Sequence, residues 1–123
     1  MKRMIFSMGV LMFLWAFTAQ AHPPTDIVLS YNHDEQVLHV KMKHVTSDPQ
    51  EHRIRQIIVF LNGQDFEHHF FVQQTSAEGL DEELYVPAEE GDVIRIKAIC
   101  SQAGFAEAEI MVPAKEVKAE KEE

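Results

Sequence analysis

A single cysteine, Cys100, serves a chain of 123 residues, so no disulfide can close within it. Basic residues are scarce as well: 11 Lys and Arg stand against 20 Asp and Glu, for a formal charge of −9. That balance excludes nucleic acid and anionic lipid surfaces as partners, because both need a basic face. The sequence has no CxxC or HExxH pattern, no internal repeat and no convincing helical periodicity. It has one long apolar run, Ile5 to Thr18, which falls short of the roughly 20 residues that span a bilayer. Met1-Lys2-Arg3 before that run and Ala19-Gln20-Ala21 after it make residues 1–21 read as a signal peptide. No cysteine sits just after the cleavage site, so a lipid anchor is not expected. The expectation is an exported, periplasmic protein that begins at His22 and has no membrane attachment once the leader is removed. In an oxidising compartment a lone thiol risks oxidation and intermolecular pairing, so Cys100 calls for a reason.

What remains is about 100 residues, one domain by the usual size range, with room for one modest core. Its pattern is all β. Ile27-Val28-Leu29 reads as a short first strand after Pro23-Pro24. From Val37 to Val45, Leu38, Val40 and Met42 alternate with His39, Lys41 and Lys43. Ile54 to Leu61 is apolar and β-branched and ends at the turn signal Asn62-Gly63, so Phe66 to Val72 returns as the partner of a hairpin. Leu84-Tyr85-Val86 stops at Pro87, and Gly91-Asp92 turns the chain into Val93 to Cys100. Ala106, Ala108 and Ile110 alternate with Glu107 and Glu109 in the last strand. About seven short strands separated by turn residues predict an immunoglobulin-like antiparallel β-sandwich over residues 22–113. Residues 114–123 are almost all charge with Ala and Val, and read as a disordered tail, with a short terminal helix as the alternative. The acidic clusters Asp81-Glu82-Glu83 and Glu89-Glu90 read as loop charge, and Phe70-Phe71 as core and hairpin packing.

Chemistry is concentrated in 7 histidines. His44 continues the inward parity of Leu38, Val40 and Met42, and Cys100 that of Ile94, Ile96 and Ala98, each at a strand end. His52 opens the next strand, beyond the loop from Val45 to Glu51. Strand ends and a loop can meet at one rim of a sandwich, where ligands are held rigidly yet reach solvent. Imidazole and thiolate suit iron, copper or zinc. Spacing alone favours the plainer reading, in which these are strand-end residues and Cys100 is a small core hydrophobe. His33, in the turn Asn32 to Glu35, and His39, on the outward face, read as solvated. His68-His69 lie on opposite faces of their strand and cannot chelate as a simple pair.

From His22 to Val112 the chain resembles the iron-binding domain of the superoxide reductases, the desulfoferrodoxin and neelaredoxin family. The residues that carry the likeness are His22-Pro23-Pro24, His44-Val45, His52-Arg53-Ile54 and Cys100-Ser101-Gln102-Ala103-Gly104. They follow the family's order of His-x-Pro, His-Pro, His-Tyr-Ile and Cys-Asn-x-His-Gly. The resemblance implies an immunoglobulin-like sandwich holding a mononuclear, non-haem ferrous iron. It implies His22, His44 and His52 as three of four equatorial histidines, Cys100 as the axial thiolate, and superoxide at the open side. Ala103 stands where the family has its fourth histidine, and Ala21, within the leader, where it has a lysine. Cleavage after Ala21 would give His22 a free α-amine beside its imidazole, two nitrogens able to chelate, and copper then fits as well as iron.

These readings lead to an exported metal-binding domain, with one-electron reduction of superoxide and an unidentified electron donor as its activity. The alternatives are a metal-free binding or carrier module on the same scaffold and a periplasmic copper-binding protein; the fold alone does not choose between them.

Overall fold

Alternation of apolar and polar residues dictates most of what the chain does. In a computed structural model describing residues 22–115 it forms seven strands, antiparallel in every pairing, and no helix among the described residues. The strands are β1 (Thr25–Asn32), β2 (Val37–Lys43), β3 (Ile54–Leu61), β4 (Gln64–Phe70), β5 (Gly79–Tyr85), β6 (Val93–Cys100) and β7 (Phe105–Met111). They build one sheet of order β1-β2-β5 and a second of order β4-β3-β6-β7. The expected leader, and the tail beyond residue 115, lie outside the described residues.

The core fills the space between the sheets. Leu38, Val40 and Met42 of β2 with Leu80 and Leu84 of β5 meet Ile54, Ile57 and Val59 of β3 and Ile94, Ile96 and Ala98 of β6. β2 and β6 alternate strictly, as a half-buried strand must. β3 does not, because its register shifts between Ile54 and Gln56 and again between Val59 and Phe60. Those irregularities let Ile54, Ile57 and Val59 all reach the core. Asn62 and Gly63 both take positive φ, 50° and 80°, the conformation of a two-residue hairpin turn whose twist matches that of its strands.

Several boundaries differ from the sequence reading. β1 runs from Thr25 to Asn32, well beyond Ile27–Leu29, because its outer residues pair with β2. β5 begins at Gly79, so Asp81, Glu82 and Glu83 belong to a strand and are not loop charge. Their acidity hid the strand; opposite them stand Lys41, Val40 and His39, and Asp81 pairs with the His39 ring. Phe71 packs on the core as expected, whereas Phe70 is 72% exposed at the end of β4.

The topology gathers many chain segments at one end. Lys43 pairs with Thr25 and with Gly79, so β2 finishes where β1 and β5 start. Ile54 pairs with Cys100 and Gln56 with Phe70, so β3 starts where β6 and β4 finish. The connection from β2 to β3 crosses between the sheets at this end, as does the one from β4 to β5. At the opposite end, the Tyr31 hydroxyl donates to the Val86 carbonyl (2.7 Å) and accepts from the Ala88 N–H (3.0 Å), pinning β1 to the chain that leaves β5.

Candidate metal centre

His44 lies one residue beyond β2 and keeps the inward parity of Leu38, Val40 and Met42. It is 1% exposed, and its backbone N–H donates to the Glu78 carbonyl at 2.9 Å, continuing the pairing with the β5 side past the end of the strand. The loop that follows is held by its own polar residues. The Thr46 hydroxyl accepts from the Asp48 N–H, and the Asp48 carboxylate accepts from the N–H groups of Gln50 and Glu51. The His52 N–H then donates to the Asp48 carbonyl at 2.9 Å, which turns this half-buried histidine back toward His44. His52 therefore sits in the turn before β3 and does not open the strand itself.

His22 arrives from the N-terminal arm. Gly104, at φ 88°, lies so close to that arm that an added Cβ would come within 3.3 Å of the Pro23 nitrogen, and Pro24 is buried. The arm is thereby seated on the turn between β6 and β7, and His22, itself exposed, faces the other two rings. Ser101 fastens the same turn to the His52 segment: its hydroxyl donates to the Glu51 carbonyl and accepts from the Arg53 N–H, both at 3.0 Å.

The three rings form one cluster. Ring centroids are 4.8 Å apart for His44 and His52, 4.9 Å for His22 and His44, and 5.5 Å for His22 and His52. One nitrogen from each of the three lies within 4.8 Å of the other two, close enough to share a metal ion. Burial pushes the His44 pKa below its ordinary value, opposed by the hydrogen bond to Gln74 and reinforced by the neighbouring His52 and His22. His52 Nε2 is buried and has no hydrogen-bond partner. A buried ring nitrogen without a partner is costly, and a metal ion would satisfy it. On this ground the residues present fit a transition metal, with neutral imidazoles of the borderline donor class that iron, copper and zinc accept.

Cys100 ends β6 on the inward side, 3% exposed and opposite Ile54, at the same end of the sandwich as His52. It is not a member of the three-nitrogen group. Ala103 is exposed in the turn beside Gly104. Three of the remaining histidines have hydrogen-bond partners: His33 the Pro113 carbonyl, His39 the Asp81 carboxylate, and His68 the Asp65 carboxylate at 2.7 Å. The His69 Nε2 is buried without a hydrogen bond, as the His52 Nε2 is, but lies 3.2 Å from the Glu67 carboxylate and has no second histidine grouped with it among the described residues. His68 and His69 stand opposite Ile58 and Ile57 on different faces of their sheet.

One residue of the site has no counterpart in the sequence reading. Gln74, 3% exposed in the connection between β4 and β5, meets the His44 ring through its side-chain oxygen. A glutamine in a polar stretch carries no sign of burial; only the crossing of two connections at this end puts it inside. The fold and site together define an all-β sandwich with a three-histidine cluster at one end. Comparison with known protein families, with curated proteins and with solved structures found no match.

Proposed function

We propose that this chain is a transition-metal-binding domain and that His22, His44 and His52 hold the metal. The convergence of three ring nitrogens within 4.8 Å, brought from three separate segments, carries the reading. Support comes from the partnerless Nε2 of His52, a buried donor atom that a metal ion would satisfy. We further propose, on the leader-like residues 1–21 alone, that the protein is exported to the periplasm.

The activity we propose is that implied by the likeness to the superoxide reductases. Bound ferrous iron would supply one electron, which with two protons converts superoxide to hydrogen peroxide and leaves ferric iron for an external donor to reduce. His22, His44 and His52 would hold the iron, and Cys100, at the end of β6, would be the thiolate that the resemblance implies. A second reading, copper held by imidazoles alone, is favoured by Cys100 standing outside the three-nitrogen group.

Elemental analysis of the exported protein, followed by titration with Fe(II), Cu(II) and Zn(II), tests these readings. One equivalent of metal is expected, and His52→Ala should weaken binding by at least about 100-fold, more than the loss of an outer-shell group. A visible thiolate-to-ferric absorption that disappears in Cys100→Ser supports iron, and Ala103→His should tighten iron binding. A Cu(II) electron paramagnetic spectrum with nitrogen couplings and no thiolate band supports copper. Failure to bind any of the three metals overturns the reading and favours a metal-free binding module.

A further inference from the structure

We infer that Gln74 is a positioning residue for the histidine cluster: it holds His44 as the Nδ1–H tautomer, so that the Nε2 lone pair faces the other two rings. Backbone groups fix the orientation of the glutamine amide. Its Nε2 donates to two carbonyl oxygens, those of His44 (3.0 Å) and Ser76 (3.1 Å). Its Oε1 accepts from the Ile54 N–H at 2.9 Å. Reversing the amide would set an oxygen against two carbonyls and an NH2 against an N–H, losing three hydrogen bonds in a buried place. Oε1 therefore faces the His44 ring, and it can only accept. The ring nitrogen it meets is Nδ1, so Nδ1 must carry the proton.

A neutral imidazole has one N–H, so His44 Nε2 is then bare. The His22 carbonyl oxygen, also an electron-pair donor, lies 3.2 Å from it. Two lone pairs at that distance gain nothing from each other, but both gain from a cation beside them: a proton, at the cost of charging a buried ring, or a metal ion. The arrangement matches a general feature of metal sites, in which a ligating histidine gives its other N–H to a neighbouring oxygen that sets tautomer and ring angle. Gln74 also ties three parts of the site together. It reaches His44 at the end of β2, Ile54 at the start of β3 and Ser76 before β5, and its own N–H donates to the Pro49 carbonyl at 3.1 Å. The assignment of the tautomer stands on these hydrogen bonds alone; its consequence for binding rests on the metal-site reading above.

The test uses metal-free protein labelled with 15N at histidine, whose long-range proton–nitrogen spectra distinguish protonated from bare ring nitrogens. Wild-type His44 at pH 7.5 is expected to show a protonated Nδ1 and a bare Nε2. Gln74→Met keeps the volume but removes the acceptor, and should give a mixture of tautomers. Zn(II) affinity of that variant should fall about 10–100-fold, the usual effect of losing such a partner. Should Gln74→Met not fold, Gln74→Glu keeps an oxygen opposite Nδ1 and should retain the protonated Nδ1. A protonated Nε2 in wild type overturns the inference outright, with or without metal binding. So does a Gln74→Met variant with unchanged tautomer, or with Zn(II) affinity within about twofold of wild type. A wild type with the expected tautomer, lost on substitution, that binds no Zn(II) keeps Gln74's hold on His44 and refutes the metal site instead.

Discussion

At the scale of single residues, His44 shows how an environment can be read and where reading stops. Its inward direction follows from Leu38, Val40 and Met42, since side chains alternate along a strand. Its protonation state does not, because that depends on Gln74, His52 and His22 arriving from elsewhere. Burial holds its pKa below 6.5, so the folded protein resists protonation that the unfolded chain accepts. Between the lowered value and 6.5 the unfolded state binds more protons, and stability rises with pH; the contribution is fully present above 6.5 and is lost as pH falls. The metal-free protein should accordingly melt at lower temperature as pH drops from 7.5 to 5. His44→Gln should flatten that slope whatever its effect on the absolute melting temperature. Equal slopes in thermal melts of the two proteins would refute the assignment.

At the scale of elements, the strongest signals were those that depend on local chemistry. β3 and β6 begin and end where their apolar runs do, and Asn62-Gly63 makes the turn its residue types demand. β5 was half hidden, because three consecutive acidic residues interrupt its alternation: Asp81 and Glu83 face outward, while Glu82 shares the inward parity of Leu80 and Leu84 and is half-buried opposite Val40. Gly79 at its start is a position only glycine can fill: a Cβ there would lie 2.0 Å from the Met42 carbonyl oxygen. Gly79→Ala should cost about 2–3 kcal/mol through overpacking against rigid backbone, seen as a lower denaturant midpoint. It should weaken Zn(II) binding too, because the His44 N–H is anchored next door on the Glu78 carbonyl. At the far end, Tyr31→Phe removes a hydroxyl that serves the Val86 carbonyl and the Ala88 N–H. A loss of about 1–2 kcal/mol is expected, with Zn(II) affinity unchanged.

At the scale of the whole molecule, the candidate centre joins segments that the sequence keeps apart, so metal and fold should stabilise each other. Binding at 100 times the dissociation constant adds about 2.7 kcal/mol. For a domain of this size that raises the melting temperature by about 10–20 °C, and chelation should reverse the shift. Calorimetry with and without Zn(II) measures it, and no shift at saturating metal would count against a site formed only in the fold. The all-β sandwich and the inward parity of His44 and Cys100 were determined by the sequence itself, because alternation, β-branching and turn residues act within a few positions. The meeting of His22, His44 and His52, the exclusion of Cys100 from their group and the burial of Gln74 were decided only by tertiary structure. Strand pairing between distant segments sets which ends coincide, and hydrogen bonds from crossing connections set which atom of each ring faces inward. Neither of those leaves a mark on the spacing of residues along the chain.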